Sequence, residues 1–196
     1  RPWRETSLMV DVFSLNAGRV TVIARGGNSA KSPLKAQLQP FQPLLLDWTG
    51  RSDLKTLTQA DVRSGPTLKR TLSLYSGLYV NELLQRLLPM ADPHHQLFAA
   101  YIDVIAELSE ASDVEPVLRR FEQSLAAELG YDFVWDQAMD SGQPVEAGGL
   151  YCYDPEQGIL AEPSPGSRLR NLPGDTLLAL ADGDLESAEC RRIAKR

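Results

Sequence analysis

The spacing of apolar residues changes at Ser64-Gly65-Pro66, and that change limits the architectures open to this chain. Before it, apolar residues alternate, as in strands whose side chains point to opposite faces in turn. After it, they recur every three or four residues, as on helices. Strands first and helices second make an α+β chain with its sheet and helices segregated. The Gly-Pro step between them is a natural break.

Four strands are expected before the break. Residues 7–14 (SLMVDVFS) are rich in apolar and β-branched types, and Asn16-Ala17-Gly18 turns the chain. Residues 19–25 follow, with Val20, Val22 and Ala24 on one face and Arg19, Thr21, Ile23 and Arg25 on the other. A short helix is expected next, capped by Ser32 with Pro33 at its first position and ended by Pro40. Residues 41–48 and 54–62 complete the set. Short strands, tight turns and one intervening helix fit a five-stranded OB-fold β-barrel. Its first strand, and a last helix of the chain, are expected to lie beyond Arg1 and Arg196.

The helical half reads as a bundle. Residues 69–88 are apolar on most sides, as in a central helix, with a stripe of Ser73, Ser76, Gly77, Val80, Leu84 and Leu87. A second helix spans 94–109. A third opens at Asp113, presents Val117, Leu118, Phe121, Leu125 and Leu129, and ends at Gly130. Residues 131–168 read as a small hairpin-rich insertion, and Pro173-Gly174-Asp175 opens a further short helix. The expected domains are 1–65 and 66–196, the insertion lying in the second.

Charge divides along the same line. The whole chain carries a net charge of -6, but residues 1–70 hold 11 Lys and Arg against 5 Asp and Glu. Residues 71–196 hold 9 against 21. No acid occurs between Asp11 and Asp47. That run contains Arg19, Arg25, Lys31 and Lys35, cations of the kind that track a phosphate backbone. About four such contacts correspond to a log–log salt slope of roughly -3 on a single strand. A solvated edge kept soluble by its charge is the plainer alternative. Arg51, Lys55, Arg63, Lys69 and Arg70 extend the basic character among interspersed acids. Phe13, Phe41 and Trp48 are the candidate base-stacking residues, the first two fitting a core better.

Other chemistries find little support. Gly26-Gly27 lacks the spacing of a phosphate-binding loop, and His94-His95 has no metal-ligand partner at helical spacing. Cys152 and Cys190 sit in no pair motif and read as buried, inert thiols. No apolar run is long enough to span a bilayer, and there is no basic-then-apolar leader. A reduced, cytoplasmic protein without cofactor or catalytic site is the expectation.

The segments RPWRETSLMVDVFS, GRVTVIARGG, LKAQLQPFQPLLL, LYSGLYVNELLQRLL and LRRFEQSLAAELGYDF together resemble the RecO family of bacterial recombination mediators. The resemblance implies an OB-fold domain followed by a helical domain with an inserted module. It implies binding to single- and double-stranded DNA, annealing of complementary strands, and action with RecR, and in some pathways RecF. The outcome is that RecA replaces single-stranded DNA-binding protein at the nucleoid. Some members hold zinc with four cysteines in the insertion; here residues 131–168 contain only Cys152, so a zinc-less module is expected. The acidic tail of single-stranded DNA-binding protein needs cations beside an apolar face, for which Arg119 and Arg120 next to Leu118 and Phe121 are the candidates. A competing reading makes the chain a protein-interaction adaptor whose helical domain does the main work.

Overall fold

The structure is a computed structural model and describes residues 1–195. It divides into two compact units, Arg1–Leu118 and Arg119–Arg196.

The first unit opens with five strands: β1 (Pro2–Trp3), β2 (Ser7–Ser14), β3 (Gly18–Ala24), β4 (Leu44–Thr49) and β5 (Leu54–Val62). They form one sheet in the order β1-β2-β3-β5-β4. β2 and β3 are antiparallel, whereas β3 and β5 run parallel, Thr21 facing Leu54 and Ile23 facing Thr56. This is the mixed sheet of an OB-like domain, but the barrel is not closed. β1 and β4 are its edges, and no ladder joins them among the described residues. β1 contributes only two residues.

Alternation in β3 is complete: Gly18, Val20, Val22 and Ala24 are buried, and the residues between them are half-buried. Val20, Val22, Ala24 and Leu57 form the core. Leu8, Val10, Val12, Leu46 and Trp48 pack on it from the strands. Each aliphatic side chain fully buried this way stabilises the fold by about 1.5–3 kcal/mol. Helix α1 (Pro33–Gln37) adds Leu34 to the same core, with Leu38 just beyond its end. Pro33 starts α1 as expected, but the Ser32 side chain makes no capping bond.

Helices α2 (Thr71–Leu87) and α3 (His95–Glu110) complete most of the unit. α2 buries Ser73, Ser76, Gly77, Val80 and Leu84, the small stripe read from sequence. Gly77 lies where an added Cβ would stand 2.7 Å from Leu68 Cδ1 and 2.9 Å from the Phe41 ring. Leu87 departs from expectation: it is exposed, and the buried residue is Leu88, beyond the helix end. α2 is also not enclosed on all sides, since Leu72, Leu74, Tyr75, Leu78 and Tyr79 are exposed. No helix of the described residues is long and apolar enough to cross a membrane.

α4 (Glu115–Glu128) leads into the second unit. Asp113 Oδ1 accepts the Glu115 N–H at 3.1 Å, a side-chain cap on its first turn. Gly130, at φ 76°, ends it: Tyr131 N–H reaches Ala126 O and Gly130 N–H reaches Ala127 O, the Schellman arrangement. The second unit holds a three-stranded sheet of β6 (Leu150–Asp154), β7 (Gly158–Leu160) and β8 (Leu169–Pro173) in the order β7-β6-β8. α5 (Gly174–Ala181) and α6 (Ala188–Ala194) follow. Ile159, Leu172, Leu177, Leu180, Cys190 and Ile193 form one buried cluster, so sheet and helices share a core. β8 was not expected from sequence.

Candidate nucleic-acid interface

Arg25 follows the last residue of β3 and is exposed. It enters a loop of consecutive tight turns: Gly27 N–H donates to Ala24 O, Ser29 N–H to Gly26 O, and Ser32 N–H to Ser29 O. Gly26 takes φ 70°, a conformation glycine adopts without strain. The loop carries Lys31, and α1 carries Lys35; both are exposed. Among the described residues, no ion pair or hydrogen bond engages the side chains of Arg25, Lys31 or Lys35. Three uncompensated cations thus occupy one continuous loop-and-helix segment at the end of β3.

Arg19 is placed differently. It lies six residues back along β3, about 20 Å from Arg25 at strand rise. It is half-buried, and its Nη1 donates to Leu88 O at 3.0 Å. Leu88 is the C-cap of α2, where unpaired carbonyls attract cations. The Arg19 carbonyl accepts from Ala91 N–H at 2.8 Å, and its Nε is buried with no hydrogen-bond partner among the described residues. The pocket beside it is lined by Arg1, Asp11, Asp53 and Gln85 among others, a mixed-charge surface.

The rest of that sheet face is also occupied. Asp11 accepts from Thr21 Oγ1 at 2.6 Å and from Gln85 Nε2 at 2.8 Å. Phe13 packs against Phe98 and Tyr101 with ring centroids 5.4 and 5.9 Å apart. Burial raises the Tyr101 hydroxyl to about 12, and the hydroxyl donates to Asn81 Oδ1 at 2.8 Å. Of the other stacking candidates, Phe41 lies against Gly77 and Trp48 against the barrel core. All three are half-buried and packed against other residues. What the domain offers a polyanion is charge, which favours contacts with phosphate over contacts with bases.

Two families match this chain. Recombination protein O N terminal matches residues 1–66, and Recombination protein O C terminal matches residues 69–181. The chain belongs to the RecO family. It is 61% identical to the DNA repair protein RecO of Marinobacter nauticus, over all of this chain and 81% of that protein. It is 46% identical to that of Nitrosospira multiformis, over 93% of this chain and 76% of the relative. It is 41% identical to that of Haemophilus influenzae, over all of this chain and 82% of the relative. Membership of the RecO family carries a role in DNA repair and recombination.

The remaining cations of this RecO-family chain are divided between free and engaged. Arg63 and Lys69 are exposed. Lys55 Nζ reaches Gly50 O at 3.3 Å. Arg70 donates to Ala111 O and Ser112 O at the C-terminal end of α3, as Arg19 does at the end of α2. Arg51 lies in the β4–β5 connection, which the parallel register of β3 and β5 sets toward the Gly18 end of β3, away from Arg25.

In the second unit, Arg119 is buried and ion-paired to Glu122, the residue one turn on. Its Nε is buried and has no hydrogen-bond partner among the described residues. Arg120 is exposed. Cys152 and Cys190 are both free and buried. Among the described residues, no three His, Cys, Asp or Glu side chains stand together as a metal site. Two carboxylates tie the loops of this unit. Asp140 accepts from the N–H groups of Ala161 and Glu162. Buried Asp154 accepts from Ser164 Oγ, Glu156 N–H and Gln157 Nε2. The Ser164 bond, foremost, holds the Asp154 carboxyl below the usual range.

Proposed function

We propose that this chain is a non-enzymatic recombination mediator: it binds single- and double-stranded DNA, anneals complementary strands and helps RecA replace single-stranded DNA-binding protein. In this reading residues 1–65 are the DNA-binding domain and residues 66–196 the helical domain with its insertion at about 131–168. Arg25, Lys31 and Lys35 contact phosphates directly. Arg19 adds positive charge from the other end of β3, about 20 Å away, while its guanidinium holds the sheet to the end of α2. The observation that carries the reading is the set of three exposed cations without acidic partners, in a run free of acids from residue 12 to 46. A site built on charge binds with little sequence preference, as a mediator acting on any strand requires. RecR, and RecF in some pathways, are its assembly partners, and the nucleoid in the cytoplasm is its place of action. Arg119 and Arg120, beside Leu118 and Phe121, are the proposed docking residues for the acidic tail of single-stranded DNA-binding protein.

The test is charge reversal at Arg25, Lys31 and Lys35 together. Annealing of complementary oligonucleotides and salt-sensitive binding should fall at least tenfold with circular dichroism unchanged. Annealing at the parental rate would refute the assignment.

The adaptor reading draws on the exposed Leu72, Leu74, Tyr75, Leu78 and Tyr79 of α2, an apolar face suited to a protein partner. It gains if the charge-reversed protein retains its function in strand exchange.

A further inference from the structure

The turn between β1 and β2, residues 4–6, carries a cation that lies outside the acid-free run. Trp3 faces Ser7 and closes the turn. Arg4 is exposed, and among the described residues no hydrogen bond or ion pair engages its side chain. Its backbone takes φ 52°, the left-handed region that glycine or asparagine enters more easily. Arginine therefore holds a position where local conformation favours other residues, a feature associated with sites of function.

The turn is fastened to the basic loop. Asn28 N–H donates to Thr6 O at 2.8 Å. Leu8 faces Ala24 across the β2–β3 ladder, so the residues just before Leu8 lie beside those just after Ala24, which begin with Arg25. Gly27 backs onto Leu8, where an added Cβ would stand 3.3 Å from Leu8 Cδ1. The same end of the sheet thus presents Arg4, Arg25 and Lys31, with Glu5 its one acid in the turn. The β1–β2 connection is also one of the loops with which OB folds hold oligonucleotides.

We infer that Arg4 is a further phosphate-contacting residue, extending the track of Arg25, Lys31 and Lys35 across the β1–β2 turn. The inference rests on the DNA-binding reading above. A guanidinium suits this place because its planar fork can hold two phosphate oxygens at once.

The experiment measures binding of a labelled oligothymidine of about 20 nucleotides by anisotropy across a salt series. Arg4→Asn removes the charge while keeping a residue that tolerates the left-handed backbone, and Arg4→Lys keeps the charge. Arg86→Gln, an exposed cation of α2 paired with Glu82, is the control. Arg4→Asn should make the salt slope shallower by about 0.7 and weaken binding two- to threefold at moderate salt. Arg4→Lys should retain most of the parental slope, and Arg86→Gln all of it. An unchanged slope in Arg4→Asn, with the parent binding normally, overturns the inference and leaves the DNA-binding reading standing. A parent with no salt-dependent binding overturns both.

Discussion

Arg19 Nη1 and the carbonyl of Leu88 are joined by a 3.0 Å hydrogen bond across 69 residues of sequence. One partner stands on the third strand of the sheet, and the other caps the C-terminal end of α2. The bond places a guanidinium where the last carbonyls of a helix are unpaired and the helix dipole is negative. Replacing Arg19 by methionine should therefore cost about 2 kcal/mol, the usual worth of a hydrogen bond to a charged group. Thermal denaturation should show a midpoint lower by roughly 4–8 °C. Arg25→Met, at an exposed position, should leave the midpoint within about 1 °C. Equal effects from the two variants would contradict the assignment of Arg19 to the joint.

The neighbouring residue offers a sharper probe of the same seam. Gly18 takes φ 62°, and a Cβ there would stand 1.9 Å from Asp92 O. Gly18→Ala combines a strained backbone with an overlap against main chain, so one of the two segments must shift. Chemical denaturation should report a loss of about 2–4 kcal/mol. A neutral result would mean that residues 90–92 do not lie against β3 in solution.

Tyr101 sets an alkaline limit on stability. Its hydroxyl titrates at about 12 in the folded chain, against an ordinary value near 10. A raised acid pKa means that the folded state holds its proton longer than the unfolded state does. The associated stability is complete below about pH 10 and is lost as pH rises toward 12, by about 2–3 kcal/mol in all. Urea midpoints of the parent should fall across that window. Tyr101→Phe should flatten this fall and cost about 1 kcal/mol near neutrality, through the lost bond to Asn81.

Asp154 sets the corresponding acid dependence in the insertion. Its carboxyl is held low first by Ser164 and then by the Glu156 N–H. A depressed pKa contributes stability that is present above the ordinary carboxylate value, near 4, and is lost as pH falls through the folded pKa. Ser164→Ala should raise the Asp154 pKa toward that ordinary value, measured by carboxyl chemical shifts in an NMR titration. The acid unfolding transition should move to higher pH with it. An unmoved Asp154 titration would show that Ser164 does not hold the charge.

The elements read from sequence were those set by local rules. Residues 7–14 and 54–62 are strands at the expected positions because alternation and turn residues act over two to four positions. The end of α4 was legible because Gly130 enters the left-handed region cheaply there. The exposed face of α2 was not legible: an apolar side chain at position 75 or 79 looks the same in sequence whether or not another element lies on it. β8 escaped because its burial alternates weakly, with half-buried Leu169 and buried Leu172 separated by exposed Arg170 and Asn171. Arg4 gave no signal either, since Glu5 and Asp11 separate it from the acid-free run; its link to that run is the bond between Asn28 and Thr6.

By itself, the sequence determined the run of strands followed by helices up to Gly130, the basic front and acidic back, and the set of cations available to a polyanion. Those follow from composition and from contacts a few residues apart. Which of the cations are free was decided by the tertiary structure. Arg19 and Arg70 are drawn to the carbonyl ends of α2 and α3, and Arg119 is buried against Glu122. Arg25, Lys31 and Lys35 are left to solvent. The physical reason is that a charge is satisfied by whatever lies within hydrogen-bonding distance of it, and for Arg19 and Arg70 the folded chain brings that partner from 69 and 41 residues away.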